Sequence, residues 1–417
     1  MIIIVIIFSL IFEFLALGLF SETNISVIVG YILTIFNILF TTFIFLKMEK
    51  KYRLPIVITF LIRCFLMFFD ILGRNYAILP MSGNDTEGFY NAGLLYGSGH
   101  NLIKGNLYGE LYSKFLGAVF RITGDQRIFA QYINVVLSVI TILILIKILI
   151  KLGIDETIIS KSTWIICLMP MNIIISSILL RESILMFWLT IGIYNYVNYT
   201  YTNSGISLFL SFVSIIISSM FHSGIIVILI SLIIYDFIKK TSDANIFKNI
   251  FIILIIVSLL LIFKNKIFDK FFHQINIIQN NDTYTTIAGS RYLENIYINS
   301  VELAVKYGWV KMIYFLFSPT PGYWRNIVDI FTFFSDSIIY IYLSIRIMTI
   351  INKPKLGKEI IYYSLFFGLL MLIFIFGLGT SAAGTAIRHR NKLVIIFLIL
   401  YSISEDIKLN MKYINTI

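Results

Sequence analysis

The sequence predicts an all-α polytopic membrane protein of about 12 transmembrane helices, in a range of about 10–13, with two long extracytoplasmic segments containing short helices. Three observations carry this reading. The 417 residues are 59% hydrophobic and only 13% charged. Mean hydropathy is +0.90. Apolar blocks of about 20 residues, the length a helix needs to cross a bilayer core, recur from end to end and leave no room for a separate soluble domain. Residues 1–417 therefore read as a single integral membrane domain.

The first block, 2–20, carries Glu13 and lacks a small-residue cleavage site, so it reads as a retained helix rather than a signal peptide. Block 26–46 completes a hairpin with it, and 54–72 leads to a long segment at 73–127. Blocks near 128–150, 162–179, 183–198, 206–221, 224–238 and 249–263 follow, then a second long segment at 264–326. Blocks near 327–346 and 360–378, a loop at 379–392 and a last block at 393–404 complete the chain. Several middle blocks are short, so the turns between them are expected to dip below the membrane surface into a cavity.

The net charge of +11 is spread among short loops rather than gathered in a patch, which argues against a nucleic-acid partner and for lipid topology. Four basic groups read as cytoplasmic: Lys47, Lys50, Lys51 and Arg53; Lys147, Lys151 and Lys161; Lys239, Lys240 and Lys248; Lys353, Lys355 and Lys358. Threading the blocks through them places the N-terminus in the cytoplasm and segments 73–127, 264–326 and 379–392 outside. Cys64 and Cys167 fall inside predicted spans and carry no information about redox compartment.

This threading collects Asp85, Glu87, Arg181, Glu182, His222, Arg291, Arg325, Arg388, His389 and Arg390 on the outer side. Cations held close to the membrane on the translocated face call for a counter-anion, and a lipid phosphate or diphosphate is the anion at that depth. Arginine suits it through planar, bidentate, permanently charged contacts. Arg181-Glu182 interrupts an apolar stretch, where a charge costs at least about 2.5 kcal/mol; the plainer reading is a helix start, with Arg181 reaching to head groups. His222, in Phe221-His222-Ser223-Gly224, is either a functional imidazole or one packed against a neighbouring helix. Arg388-His389-Arg390 is either a ligand cluster or the stop before the last span. Arg291 and Arg325 lie in a long segment where surface arginines are common.

Gly83-Asn84-Asp85-Thr86-Glu87-Gly88-Phe89-Tyr90 sets two carboxylates on a Gly-bounded turn, able to serve as general base, as hydrogen-bond acceptors for sugar, as ligands of a divalent cation, or as a solvated turn and helix cap. Glu13, Arg63 and Asp70 lie within spans. Arg63 and Asp70 are spaced for one helix face, Glu13 is expected to meet Arg63, and structural ion pairing is weighed against an ion pathway. Asp336 has no evident partner. Two prolines and a glycine in Ser318-Pro319-Thr320-Pro321-Gly322 exclude a continuous helix and suggest a re-entrant or surface-lying lid. No Walker loop, dinucleotide fingerprint, zinc spacing or internal repeat is visible, so no cofactor and no metal site is expected.

The order of four of these segments resembles the Wzy-type bacterial polysaccharide polymerases (O-antigen, capsule and exopolysaccharide), in particular their EpsG-like branch. They are Asp85 followed by Tyr90, Leu180-Arg181-Glu182-Ser183, Phe221-His222-Ser223-Gly224, and Arg388-His389-Arg390. The run Phe315 to Pro321 is similar to an aromatic-proline segment of such proteins. Branch members often carry Arg-Gln where this chain has Arg181-Glu182. The resemblance implies a GT-C-like helical fold in the bacterial cytoplasmic membrane. It implies transfer of an undecaprenyl-diphosphate-linked glycan onto a sugar hydroxyl of another lipid-linked repeat unit at the outer face. The bilayer, the lipid-linked oligosaccharide and, as candidate protein partners, a chain-length regulator and a flippase go with that reading. On it, Asp85, Glu87, Arg181, His222 and Arg388 are expected to be catalytic, and Glu182, Tyr90, Arg291, Arg325, His389 and Arg390 to bind diphosphate or glycan. The alternatives are a GT-C glycosyltransferase with a polyprenyl-phosphate sugar donor, and a lipid-linked oligosaccharide flippase or transporter.

Overall fold

The computed structural model describes residues 1–100, 110–240, 290–293, 296, 301–350 and 358–415. The expected span at 249–263, most of segment 264–326, and Lys248, Lys353 and Lys355 lie outside the described residues. Among the described residues there are helices and turns but no strand; one isolated antiparallel bridge joins Arg291 to Ala382.

The helices are α1 (Ile2–Phe20), α2 (Ser26–Leu46), α3 (Lys50–Leu72), α4 (Asn84–Gly97), α5 (Glu110–Thr123) and α6 (Arg127–Lys151), then α7 (Glu156–Leu168), α8 (Pro170–Ser177), α9 (Glu182–Thr202), α10 (Gly205–Phe221) and α11 (Ile226–Lys240). After the undescribed stretch come α12 (Val301–Phe317), α13 (Ile327–Met348), α14 (Glu359–Gly379), α15 (Ala383–Asn391) and α16 (Val394–Asn415). Within α13 the five residues Phe333–Ser337 form a π-helical turn.

Six of these, α1, α2, α3, α6, α13 and α14, are long and apolar enough to cross a membrane, and α7 with α8, bent by 57° at Pro170, makes a seventh if read as one broken span. The chain is a polytopic α-helical membrane protein. Other expected spans differ for physical reasons. Region 183–198 lies in α9, whose second half is rich in Asn, Tyr and Thr. Helix α10 is 17 residues long. Residues 393–404 continue into the charged half of α16, where Glu405 and Asp406 meet Arg346 and Lys358. Segment 379–392, expected as a loop, holds the nine-residue helix α15.

The chain falls into two compact units: Met1–Lys147 with Ile159–Ile191, and Ile148–Ile158 with Gly192–Ile417. In the first, α1 and α2 present Ile4, Phe8, Phe12, Phe36 and Phe43 outward, as lipid-facing helices must, and bury polar groups between themselves. Hairpin α4–α5 closes tightly because Gly93, Gly97 and Gly117 stand where any side chain would strike Leu116, Phe120 or Tyr96. In the second unit, Gly308 and Gly377 play the same part between α12 and α14, and Gly368 lets α14 approach Ser231 on α11. Helices α13 and α16 pack through Tyr340 against Phe397 and Tyr342 against Tyr401.

The intramembrane charges find partners other than those expected. Glu13 accepts hydrogen bonds from Thr34 Oγ1 and Asn37 Nδ2, both at 2.6 Å, and does not meet Arg63. Arg63, fully buried on α3, donates to Ser176 Oγ at 2.8 Å, Asn172 Oδ1 at 2.6 Å and its own helix at Thr59 O. The seven-residue spacing of Arg63 and Asp70 does place both inward, but two turns of helix separate them, and each bonds to the groups at its own level. Lys358, read as a free loop cation, is buried and pairs with Asp406 at 2.6 Å.

Candidate functional site

In the first unit the acidic turn is the start of a helix. Asp85 and Glu87 lie in the first turn of α4, where carboxylates favour the helix dipole, and Thr86 accepts from the Gly83 N–H at 3.0 Å. Asp85 is half-buried. Glu87 is clamped. Arg127, from the first turn of α6, grips it with both prongs at 2.9 and 2.7 Å, and Arg74 Nη1 pairs with the same carboxylate. Just below, buried Asp70 accepts from Ser82 Oγ at 2.5 Å and Gln131 Nε2 at 2.7 Å, with Arg74 and Arg127 at 3.6 and 3.7 Å. Two carboxylates thus face two guanidiniums and the charge closes. Desolvation pushes the Glu87 carboxyl up, but the hydrogen bond and charge of Arg127, then of Arg74, outweigh it, and the net direction is down. Both Glu87 oxygens are engaged by guanidiniums, which lowers the basicity of a residue that the sequence analysis expects to be catalytic. Tyr90 donates to Asp125 Oδ1 at 2.6 Å beneath the Arg127 guanidinium; burial first, then Asp125, raises its hydroxyl.

Arg181 lies at the break between α8 and α9. The break is held by Asn134 on α6, whose Nδ2 donates to the carbonyls of Ile178 at 3.0 Å and Leu180 at 2.8 Å. That amide also reaches Tyr112 Oη at 3.0 Å, and the Tyr112 ring meets Phe89 of α4 edge-on with centroids 5.1 Å apart. The non-helical carbonyls at this depth are therefore satisfied by protein, as a bilayer requires. Arg181 is half-buried; Glu182 opens α9 and is fully buried, which suits a scaffold position better than direct glycan contact.

The second unit gathers the histidines. His222 ends α10 in an extended conformation and is 8% exposed. Its ring meets that of His389 on α15 at 4.9 Å between centroids and that of Phe376 on α14 at 5.0 Å; Phe376 and His389 are 5.2 Å apart. Phe315 of α12 closes the group from the far side of Phe376 at 6.0 Å. Arg388, half-buried, immediately precedes His389 on α15. The start of α15 is held by the strip around Arg291: Tyr292 N–H donates to Ser381 O and Ala383 N–H to Ser290 O, both at 2.9 Å. This brings the backbone of Arg291, itself exposed, alongside Ala382.

Arg390 has a different place from its neighbours. It is fully buried, pairs with Asp336 at 2.5 Å, donates to Leu316 O and Ser318 O at 2.5 and 2.9 Å, and lies over the Tyr340 ring at 4.8 Å. The π-helical turn of α13 presents Asp336 to it, so the carboxylate expected to lack a partner has one. These contacts pack Arg390 into the fold, where the sequence analysis expects a diphosphate-binding side chain. Arg325 is likewise engaged: its Nε and Nη2 donate to Asp329 at 2.9 and 3.0 Å, across the start of α13. The Pro-rich run ends α12 at Phe317 and forms a short turn at Pro321–Tyr323, with Trp324 Nε1 donating to Pro319 O at 3.0 Å.

Sequence reasoning missed four functional-site neighbours. Arg74 and Arg127 lie in or beside the first outer segment and were legible as the cations nearest Glu87. Asn134, inside an apolar block, carried the signal common to buried amides in spans. Lys311 is the one charged residue of Trp309 to Leu316; it is 7% exposed, with no hydrogen bond or ion pair among the described residues. Burial pushes its ammonium pKa down. Among the described residues no His, Cys, Asp or Glu group is arranged to hold a metal ion. Comparison of the chain with family models, curated proteins and solved structures gives no match.

Proposed function

We propose that the chain is a polysaccharide polymerase with a GT-C-like fold of about 12 spans, multi-pass in the bacterial cytoplasmic membrane with its N-terminus inside. It transfers an undecaprenyl-diphosphate-linked glycan onto a sugar hydroxyl of another lipid-linked repeat unit at the outer face. The observation that carries this reading is the meeting of His222 and His389 beside Arg388 in a helical membrane protein. Acceptor activation needs a base, and departure of a diphosphate needs a cation where negative charge develops.

The chemistry assigned to these groups balances. His222 takes the proton of the acceptor hydroxyl as that oxygen bonds to the anomeric carbon. The bond from that carbon to the diphosphate oxygen breaks, and its electron pair leaves with undecaprenyl diphosphate. Arg388 stabilises the departing charge more than the bound donor, so it lowers the barrier instead of merely tightening binding. His389 and Phe376 hold the His222 ring. Arg181 enters this reading through the sequence resemblance. Asp85 remains the acidic residue for sugar hydroxyls in the first outer segment.

A transferase that adds one sugar from a monophosphate donor leans on a free acidic pair in that segment, and the clamping of Glu87 by Arg74 and Arg127 weakens that alternative. The test is reconstitution of the full chain in proteoliposomes with lipid-diphosphate repeat units. A ladder of lengthened glycans is the expected product. Addition of a single sugar from a polyprenyl monophosphate, with no ladder, would overturn the polymerase reading.

A further inference from the structure

A buried ammonium with no counter-ion is a costly thing to retain in a protein. An uncompensated charge either shifts its pKa until it is neutral or waits for a partner that arrives with a ligand. Lys311, 7% exposed, has no hydrogen bond or ion pair among the described residues. It lies on one stripe of α12 with Ala304, Gly308 and Phe315, all on the side packed inward. Helix α14 crosses α12 at this level: a side chain on Gly377 would come within 3.1 Å of Met312 N and 3.2 Å of the Lys311 carbonyl. The residue before Gly377 is Phe376, whose ring touches both His222 and His389. One turn beyond Lys311, Phe315 meets the same ring. At the end of α12, the carbonyls of Leu316 and Ser318 are gripped by Arg390, two residues after Arg388. Close packing thus ties Lys311 to the histidine cluster through one dipeptide of α14 and one helix turn of α12.

We infer that Lys311 is a phosphate-binding residue of the histidine site, supplying a cation to the oxygens of a lipid-linked diphosphate. The inference rests on the polymerase reading for the identity of the anion, while a buried lysine with no partner among the described residues stands without it. Lysine offers a compact point charge with three donors on a flexible stem. It can follow a phosphate whose charge changes during transfer better than a rigid guanidinium can. Desolvation lowers the Lys311 pKa, and a diphosphate beside it acts in the opposite direction, so protonation and ligand binding reinforce each other.

The experiment uses the full chain in nanodiscs of zwitterionic lipid. An amine-acylating reagent is applied at mildly alkaline pH with and without inorganic pyrophosphate, and modification of the peptide carrying Lys311 is read by mass spectrometry. Lys311 should react without pyrophosphate and be protected by it. No reaction in either case means that no ligand reaches the residue, and equal reaction in both means that none binds there; each overturns the inference. A second arm replaces pyrophosphate with phosphatidylglycerol in the disc. Protection by that lipid alone overturns the diphosphate assignment in favour of a side chain reaching to bulk head groups.

Variants add an affinity readout. Lys311→Met should weaken pyrophosphate binding roughly tenfold or more, and Lys311→Arg should retain most of it. If Lys311→Met does not fold, the wild-type protection result decides alone. Protection by pyrophosphate with no glycan ladder in proteoliposomes removes the polymerase reading and leaves the anion site. A normal ladder from folded Lys311→Met removes the inference and leaves the polymerase.

Discussion

The charged groups of the two units are arranged on opposite principles. Around α4 in the first unit, Asp70, Arg74, Glu87 and Arg127 close on one another, two acids against two bases, with Ser82 and Gln131 filling the remaining hydrogen bonds. Around α15 in the second, two imidazoles meet ring to ring and Lys311 is buried with no carboxylate partner among the described residues. A charge-closed cluster gains most of its energy from itself and holds an outer segment in register. One that retains an uncompensated cation at a desolvation cost keeps its strongest interaction for something else. On the proposed reading the first cluster is scaffold and the second carries the chemistry.

The sharpest way to break this assignment uses the scaffold member of the second unit. Arg390→Met leaves Asp336 buried and unpaired and should cost about 3–5 kcal/mol, enough to keep the chain from accumulating in the membrane. The double variant with Asp336→Leu should restore much of that loss in a thermal melt of the purified protein. Full-level accumulation of Arg390→Met alone would return Arg390 to the ligand set. Next in size, Arg181→Ala should abolish polymer while protein level and the single-repeat lipid intermediate remain intact. Normal-length glycan from it removes Arg181 from the chemistry. Then His222→Gln should slow turnover by about 10²–10⁴-fold with donor binding nearly unchanged. A variant that turns over normally but melts earlier would mark His222 as packing.

The smaller effects test the scaffold side. The Glu87 carboxyl is depressed in the folded chain, so its contribution is present above the ordinary carboxylate range and is lost as pH falls through its folded value. Its side chain is 35% exposed, and solvent screening keeps the effect small. Acid titration of stability should be shallower in Glu87→Gln than in the parent, with glycan turnover at neutral pH unaltered; a large drop in turnover would place the first cluster in the chemistry after all. Arg325→Ala removes one part-buried i,i+4 pair and should cost about 1 kcal/mol, a small shift in a melting experiment.

What the sequence shows and hides follows from range. The membrane class and the bounds of α1, α2, α3 and α14 are local properties, readable from apolar runs and charged ends. The π-helical turn that points Asp336 at Arg390 joins residues 54 apart, and no periodicity within either helix reveals it. Segment 379–392 reads as a loop because Gly379, Thr380, Ser381 and Gly384 are loop-like residues, yet the strip around Tyr292 pins its start and lets α15 form. His222 and His389 stood out as rare imidazoles in apolar surroundings, but their contact depends on Phe376 between helices far apart in sequence. Lys311 was hidden by the opposite habit, since lysines in outer segments are usually ignored as solvated.

The pairing of Asp336 with Arg390 also sets a schedule. During synthesis α13 is made 54 residues before its arginine, a delay of roughly 3 to 11 seconds at ordinary elongation rates. Through that interval the carboxylate must be held neutral or sheltered by the insertion machinery. The arrival of α15 then converts a span that could still slip back into one that is locked in place. A chain cut short of Arg390 lacks the cation that pairs with this acid. The pairing of α13 thus waits on a helix made later in the chain.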